Sequence, residues 1–160
     1  MKTCFFSGHR VLPEGIDRSL STLLRERISD LCESGVTEFI CGGAMGFDRM
    51  AAEAVLHLRD CWYPQIKLIL LLPYPDQSEH WPAPEQVAYR EILRQADQVH
   101  YTAEAYFPGC FHLRNQQMAD RSDCLICYCR EDSGGTAETI KYAKKKGLPI
   151  ANLAELIPEY

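Results

Sequence analysis

Three short segments combine glycine with residues able to hold an anion: Ser7-Gly8-His9-Arg10, Cys41-Gly42-Gly43-Ala44-Met45-Gly46 and Asp132-Ser133-Gly134-Gly135-Thr136. Each ends a strand-like run and leads toward a helix-like one. Bare glycine backbone lets N–H groups approach an anion, and a helix starting there adds its partial positive charge, so phosphate is the natural occupant. Tight turns and close packing also call for glycine. Two Gly-Gly pairs at equivalent positions favour the ligand reading, and Gly8, His9, Arg10, Gly42, Gly43, Gly46, Gly134, Gly135 and Thr136 are the expected contacts.

Arg10 and Arg114 are the cations expected near a phosphate, because a guanidinium fork matches phosphate oxygens. His9 can serve there as a neutral hydrogen-bonding partner. Three carboxylates are the candidates for acid–base work, and each has a structural alternative. Asp48 falls in the first turn of a helix, where the dipole favours it as a cap or where it can meet a ribose hydroxyl. Glu53 follows Arg49 by four residues, the spacing of a surface ion pair. Glu138 follows the third glycine loop. The segment Pro73-Tyr74-Pro75-Asp76-Gln77, with His80 and Trp81, offers either a wall for stacking a base or a rigid turn. The G-x-G-x-x-G spacing is absent and so is a Walker Gly-Lys-Ser/Thr, so neither NAD nor ATP hydrolysis is indicated and no cofactor is called for.

The elements that must position these loops alternate along the chain. Strand-like runs at 3–7, 38–41, 66–72, 98–101, 123–129 and 148–152 are separated by helix-like segments at 17–34, 47–60, from Pro82 or Pro84 to about 96, 110–122 and 136–146, with a short helical turn at the end. The near-continuous apolar run Ile66–Leu72 suits a strand buried on both faces and is expected to be central. Such alternation predicts an α/β, Rossmann-like three-layer sandwich whose mainly parallel, doubly wound sheet has about six strands, in one domain over residues 1–160. Ligands in that architecture bind beyond the carboxyl ends of the strands, which is where the glycine loops fall.

Composition narrows the class. An apolar fraction of 46% with 24% charged residues describes an ordered globular chain. Nothing near the N-terminus is long and apolar enough for a signal peptide, and no run approaches the ~20 residues of a membrane span, so a cytoplasmic location is expected. The eight cysteines then read as reduced, partly buried residues. A zinc site at Cys124-Leu-Ile-Cys127 fails because a strand sends those two side chains to opposite faces. The formal net charge of −5 argues against a nucleic-acid partner, and Lys141 with Lys144–Lys146 ends a helix where cations offset the dipole.

The same residues resemble the SLOG superfamily, which joins DprA-like and Lonely-Guy-like proteins, and within it the DUF1273 or YpsA-like branch. The resemblance rests on Ser7-Gly8-His9-Arg10, on Gly42 through Asp48 leading to Ala51-Ala52-Glu53, on Arg114-Asn115 with Met118, and on Ser122-Asp123. It continues through Gly134-Gly135-Thr136, Thr139, Tyr142-Ala143 and Gly147-Leu148-Pro149-Ile150. It implies a Rossmann-like fold that binds nucleotides or nucleotide-derived ligands, with the glycine motifs forming the phosphate and ribose pocket. Lonely-Guy-like members are phosphoribohydrolases with a Pro-Gly-Gly-x-Gly-Thr-x-x-Glu motif and an arginine. This chain departs from that motif: it lacks the proline and the x-Gly insertion, Thr139 stands at the glutamate's spacing, and Glu138 comes one residue early, a rotation of about 100° on a helix.

The expected function is therefore binding or sensing of a small nucleotide-like ligand. The alternatives are a nucleotide-processing hydrolase recruiting Glu138, Glu53 or Asp48, and an interaction domain with a vestigial pocket. Related folds pair into dimers, so a homodimer is a candidate assembly.

Overall fold

The computed structural model describes residues 1–158. Six strands and five helices alternate in the order β1 (Thr3–Gly8), α1 (Asp17–Glu33), β2 (Glu38–Cys41), α2 (Phe47–Cys61), β3 (Lys67–Leu72), α3 (Ala83–Gln95), β4 (Gln98–Tyr101), α4 (Cys110–Asp120), β5 (Cys124–Tyr128), α5 (Gly135–Lys145) and β6 (Ile150–Asn152), followed by a 3-10 turn at Leu153–Leu156. All strand pairs are parallel, in the order β4-β3-β2-β1-β5-β6. This is the Rossmann-like α/β sandwich that the alternation predicts.

The expectation that the 66–72 run is central needs correction. β3 lies one place from the edge, and its first residue Lys67 is exposed. β1 and β2 hold the middle, with Cys4, Phe5, Phe6 and Phe39 fully buried. Apolar residues on both faces of a strand report a covering layer of helices on each side, and every interior strand of a parallel sheet has that, so hydrophobicity alone does not rank strand positions.

Two apolar layers sandwich the sheet. On one face Cys4, Phe6, Phe39, Leu68 and Ile126 pack with Leu20, Leu24 and Ile28 of α1, Ala51 and Val55 of α2 and Ile92 of α3. On the other, Phe5, Ile40, Ile69 and Leu125 meet Met118 and Ala119 of α4 and Ala143 of α5. Cys124 belongs to the first layer and Cys127 to the second, the opposite placement that period two requires. Burial of a side chain such as Phe5 or Leu24 stabilises by about 1.5–3 kcal/mol each, the force that fixes both layers.

The connectivity decides where a ligand can enter. The chain winds outward from β1 through β2 and β3 to β4, then returns to place β5 on the other side of β1. Loops leaving β1 and β5 therefore diverge to opposite faces and leave a crevice between them, the switch point at which open α/β sheets hold ligands.

Candidate functional site

At that crevice lies a cleft of about 280 Å³ lined by Ser7, Gly8, His9 and Arg10 after β1, Asp48 of α2, Phe111, Arg114, Asn115 and Met118 of α4, and Glu131 and Ser133–Thr136 after β5. Eight of the expected contacts meet here: Gly8, His9, Arg10, Asp48, Arg114, Gly134, Gly135 and Thr136.

The start of α5 forms one wall. Its N-cap is Gly134, at φ 99°, with no side chain capping the helix. The first helical bond is donated by the Glu138 N–H to the Gly134 carbonyl, so the amides of Gly135, Thr136 and Ala137 precede the intrahelical ladder. A Cβ at Gly134 or Gly135 would meet nothing within 4 Å, which leaves this backbone open to the cleft.

The start of α2 is different. The Phe47 N–H donates to the His9 carbonyl at 3.1 Å, and a Cβ on Gly46 would lie 2.3 Å from the Arg10 carbonyl oxygen. The chain's own backbone thus occupies the position an anion would take. Gly8 leaves room for the Phe47 ring, Gly43 for Leu72, and Gly42 for the Arg114 guanidinium. None of Gly42, Gly43 and Gly46 lines this cleft; Gly46 lines a separate depression along α1 and α2, and all three allow close packing.

Arg114 is 4% exposed. Nη1 donates to the Gly42 carbonyl at 2.6 Å and Nε to Asn115 Oδ1 at 2.9 Å. Nη2 has no hydrogen-bond partner among the described residues and is not one of the sealed polar atoms, and Arg114 is one of the residues that line the cleft. Burial pulls the Arg114 pKa down, opposed by the charge of Asp48. Asp48 is itself 5% exposed; Oδ2 accepts the Ala44 N–H at 3.1 Å, and Oδ1 has no partner. Burial pushes its pKa up to about 6, against the pull of Arg114, the Ala44 N–H and Arg10.

His9 accepts the Arg130 backbone N–H on Nε2 at 2.9 Å, while its ring edge meets Tyr128. Nε2 must then be unprotonated, which leaves the hydrogen on Nδ1 as a donor. Arg10 lies over the Phe111 ring at 5.0 Å, and Arg114 lies 5.8 Å from the same ring.

Two of the candidate carboxylates fall elsewhere. Glu53 lines a larger depression of about 470 Å³ along α1 and α2, where it pairs with Arg49 at 2.8 Å; Arg49 also reaches Glu85. Glu138 is exposed and pairs with Lys141, whereas Thr139 is buried and donates its hydroxyl to the Gly135 carbonyl. Trp81 packs against Tyr89, and Tyr74 lies edge-on to Phe111, which lines the cleft, and to Tyr106. Phe111, Glu131 and Ser133 were not among the expected contacts. Phe111, Arg114, Asn115 and Met118 follow i, i+3, i+4, i+7 spacing, so the stripe of α4 that carries Arg114 also carries Phe111.

The model describing the YspA SLOG family matches residues 17–153 of this chain. The chain belongs to that family. Its relatives include UPF0398 proteins of Bacillus thuringiensis (strain Al Hakam) and Bacillus cereus (strain AH187), each 30% identical over 157 residues, 92% of this chain and 85% of the relative. Among solved structures, this YspA-family chain is similar to the single-stranded-DNA-binding DNA processing protein A from Helicobacter pylori, at TM-score 0.67 and 25% identity over 93% of this chain. The chain spans 63% of that protein's length. DNA processing protein A from Streptococcus pneumoniae shares the fold at TM-score 0.63 and 17% identity, over 93% of this chain and 49% of that one.

The Helicobacter structure overturns the expectation that nucleic acid is disfavoured, because a protein of this fold binds single-stranded DNA. Net charge describes the whole surface, whereas strand binding depends on a local field and on stacking rings. In this YspA-family chain Arg10, Arg114 and the start of α5 converge on one edge, beside the Phe111 ring. No helix among the described residues is long and apolar enough to cross a membrane.

Proposed function

We infer that this protein binds the phosphate of a nucleotide or nucleotide derivative in the β1–β5 cleft, as a binding or sensing module. One observation carries the reading: the uncapped N-terminus of α5 and the free Nη2 edge of the buried Arg114 share a single cleft. An anion at the cleft can take charge-assisted hydrogen bonds from the guanidinium and from the unpaired helix amides together, which favours a phosphate there over an uncharged ligand. Phe111 and Tyr74 beside the arginines suit a base or sugar face.

A hydrolase reading has less support, since of the three candidate carboxylates Asp48 alone lines the cleft. A second source of the same phosphate chemistry is a single strand of nucleic acid. It is favoured by the Helicobacter relative and by the exposed rings of Tyr106 and Phe107, 60% and 39% accessible, beyond Tyr74.

Isothermal titration with mononucleotides, dinucleotides, ADP-ribose and a short oligonucleotide tests the reading. Binding by the wild type and a loss of roughly tenfold or more in Arg10→Ala, an exposed position whose change spares the core, is the expected outcome. Absence of binding across the whole panel would contradict it and favour an interaction domain with a vestigial pocket.

A further inference from the structure

The charges around the cleft bear on which phosphates it accepts. Four charged side chains line it, Arg10 and Arg114 against Asp48 and Glu131, and their formal charges cancel. What remains is the start of α5, equivalent to roughly half a positive charge. We propose that the cleft selects a singly charged phosphodiester over a dianionic phosphomonoester, with Asp48 and Glu131 making the selection. The inference rests on the phosphate-binding reading above.

Two further features agree with it. Asp48 is buried within the field of Arg114, so solvent screens its repulsion of a second ligand charge poorly. A diester also needs room on both sides of its phosphorus. The Gly134–Gly135 backbone has open space beside it, and Phe111 on the cleft lining, with Tyr74 edge-on to it, offers a ring surface for a second nucleoside.

The groups facing Asp48 determine how the selection changes with pH. They are Arg114 of α4, Arg10 of the loop after β1, and Cys41 of β2, whose thiol donates to the Asp48 carbonyl; across a small cavity lie Glu85 and Tyr89 of α3. As pH falls through about 6, Asp48 takes up its proton and the cleft gains net positive charge. A diester keeps one charge through this range, so any strengthening of its binding reports the protein.

The test is titration calorimetry near pH 8 with adenylyl-(3′→5′)-adenosine and with adenosine 5′-monophosphate. The dinucleotide is expected to bind about tenfold more tightly. Asp48→Asn should bring that ratio toward one and flatten the pH profile of dinucleotide binding, while the exposed Glu131→Gln, which leaves the core untouched, should lower the ratio should the first variant fail to fold. Equal or tighter binding of the monophosphate by the wild type overturns the selection and leaves phosphate binding standing. Failure of both probes and of decathymidylate overturns both. Decathymidylate separates the two diester sources: its binding far more tightly than the dinucleotide identifies a strand, and equal binding identifies a free dinucleotide.

Discussion

Asp48 makes this protein less stable when ionised. Its carboxyl titrates near 6 in the folded chain against an ordinary 3.8, so between those values the native state holds the extra proton. Its contribution to stability is therefore most favourable below about pH 4, falls as pH rises from there through about 6, and is then constant, a change of about 3 kcal/mol for this group alone. Urea unfolding at pH 5 and pH 7.5 measures it, and Asp48→Asn should remove that part of the slope. An unchanged slope in the variant would assign the effect to other groups. The glycines divide by the same atomic reasoning. Gly46→Ala drives a Cβ to 2.3 Å from a backbone oxygen at φ 74°, and Gly8→Ala drives one to 2.3 Å from the Phe47 ring. Each should cost about 2–4 kcal/mol of unfolding free energy. Gly135→Ala meets open space at an ordinary φ and should leave stability within about 1 kcal/mol while weakening phosphate binding.

Among the elements, the contrast between two helix starts explains what could be read in the sequence and what could not. Both α2 and α5 follow a Gly-Gly pair, and local sequence treats them alike. The difference is tertiary: the loop after β1 folds its His9 and Arg10 carbonyls onto the start of α2, while the start of α5 has no such cover. Contacts between segments distant in sequence leave no trace in spacing, so Gly42 and Gly46 read as ligand contacts when they act as packing positions. Phe111 was legible in principle from its α4 stripe, and the strand and helix order was legible outright because period-two and period-3.6 patterning is local. Asp97 shows an anchor of the same tertiary kind. It accepts the Leu68 N–H at 2.8 Å and pairs with Arg59 of α2 at 2.8 Å, joining α2 to the start of β3 and the turn before β4. Asp97→Ala leaves that amide and guanidinium without it and should destabilise by about 1–3 kcal/mol in thermal or urea unfolding; a neutral result would make the corner dispensable.

For the whole molecule, the reversal of strand order between β1 and β5 turns local glycine chemistry into a site. It brings Arg10, Arg114 and the start of α5, more than a hundred residues apart along the chain at the extremes, to one crevice. The DNA processing protein A structures share this chain's architecture over most of its length. The cleft's position follows from the architecture, and the selectivity proposed for it rests on the four charges around it. Binding through a few charge-assisted contacts should weaken as salt rises, more steeply for a strand than for a dinucleotide, which calorimetry at two ionic strengths would read. The most direct test of phosphate binding at this cleft is an amide NMR titration with a dinucleotide. Shifts at the Gly135, Thr136 and Ala137 amides and at the Arg114 side chain, with the Phe47 amide least affected, are predicted. Shifts centred on the start of α2 or on the Glu53 depression, or none at all, would contradict a phosphate at the start of α5.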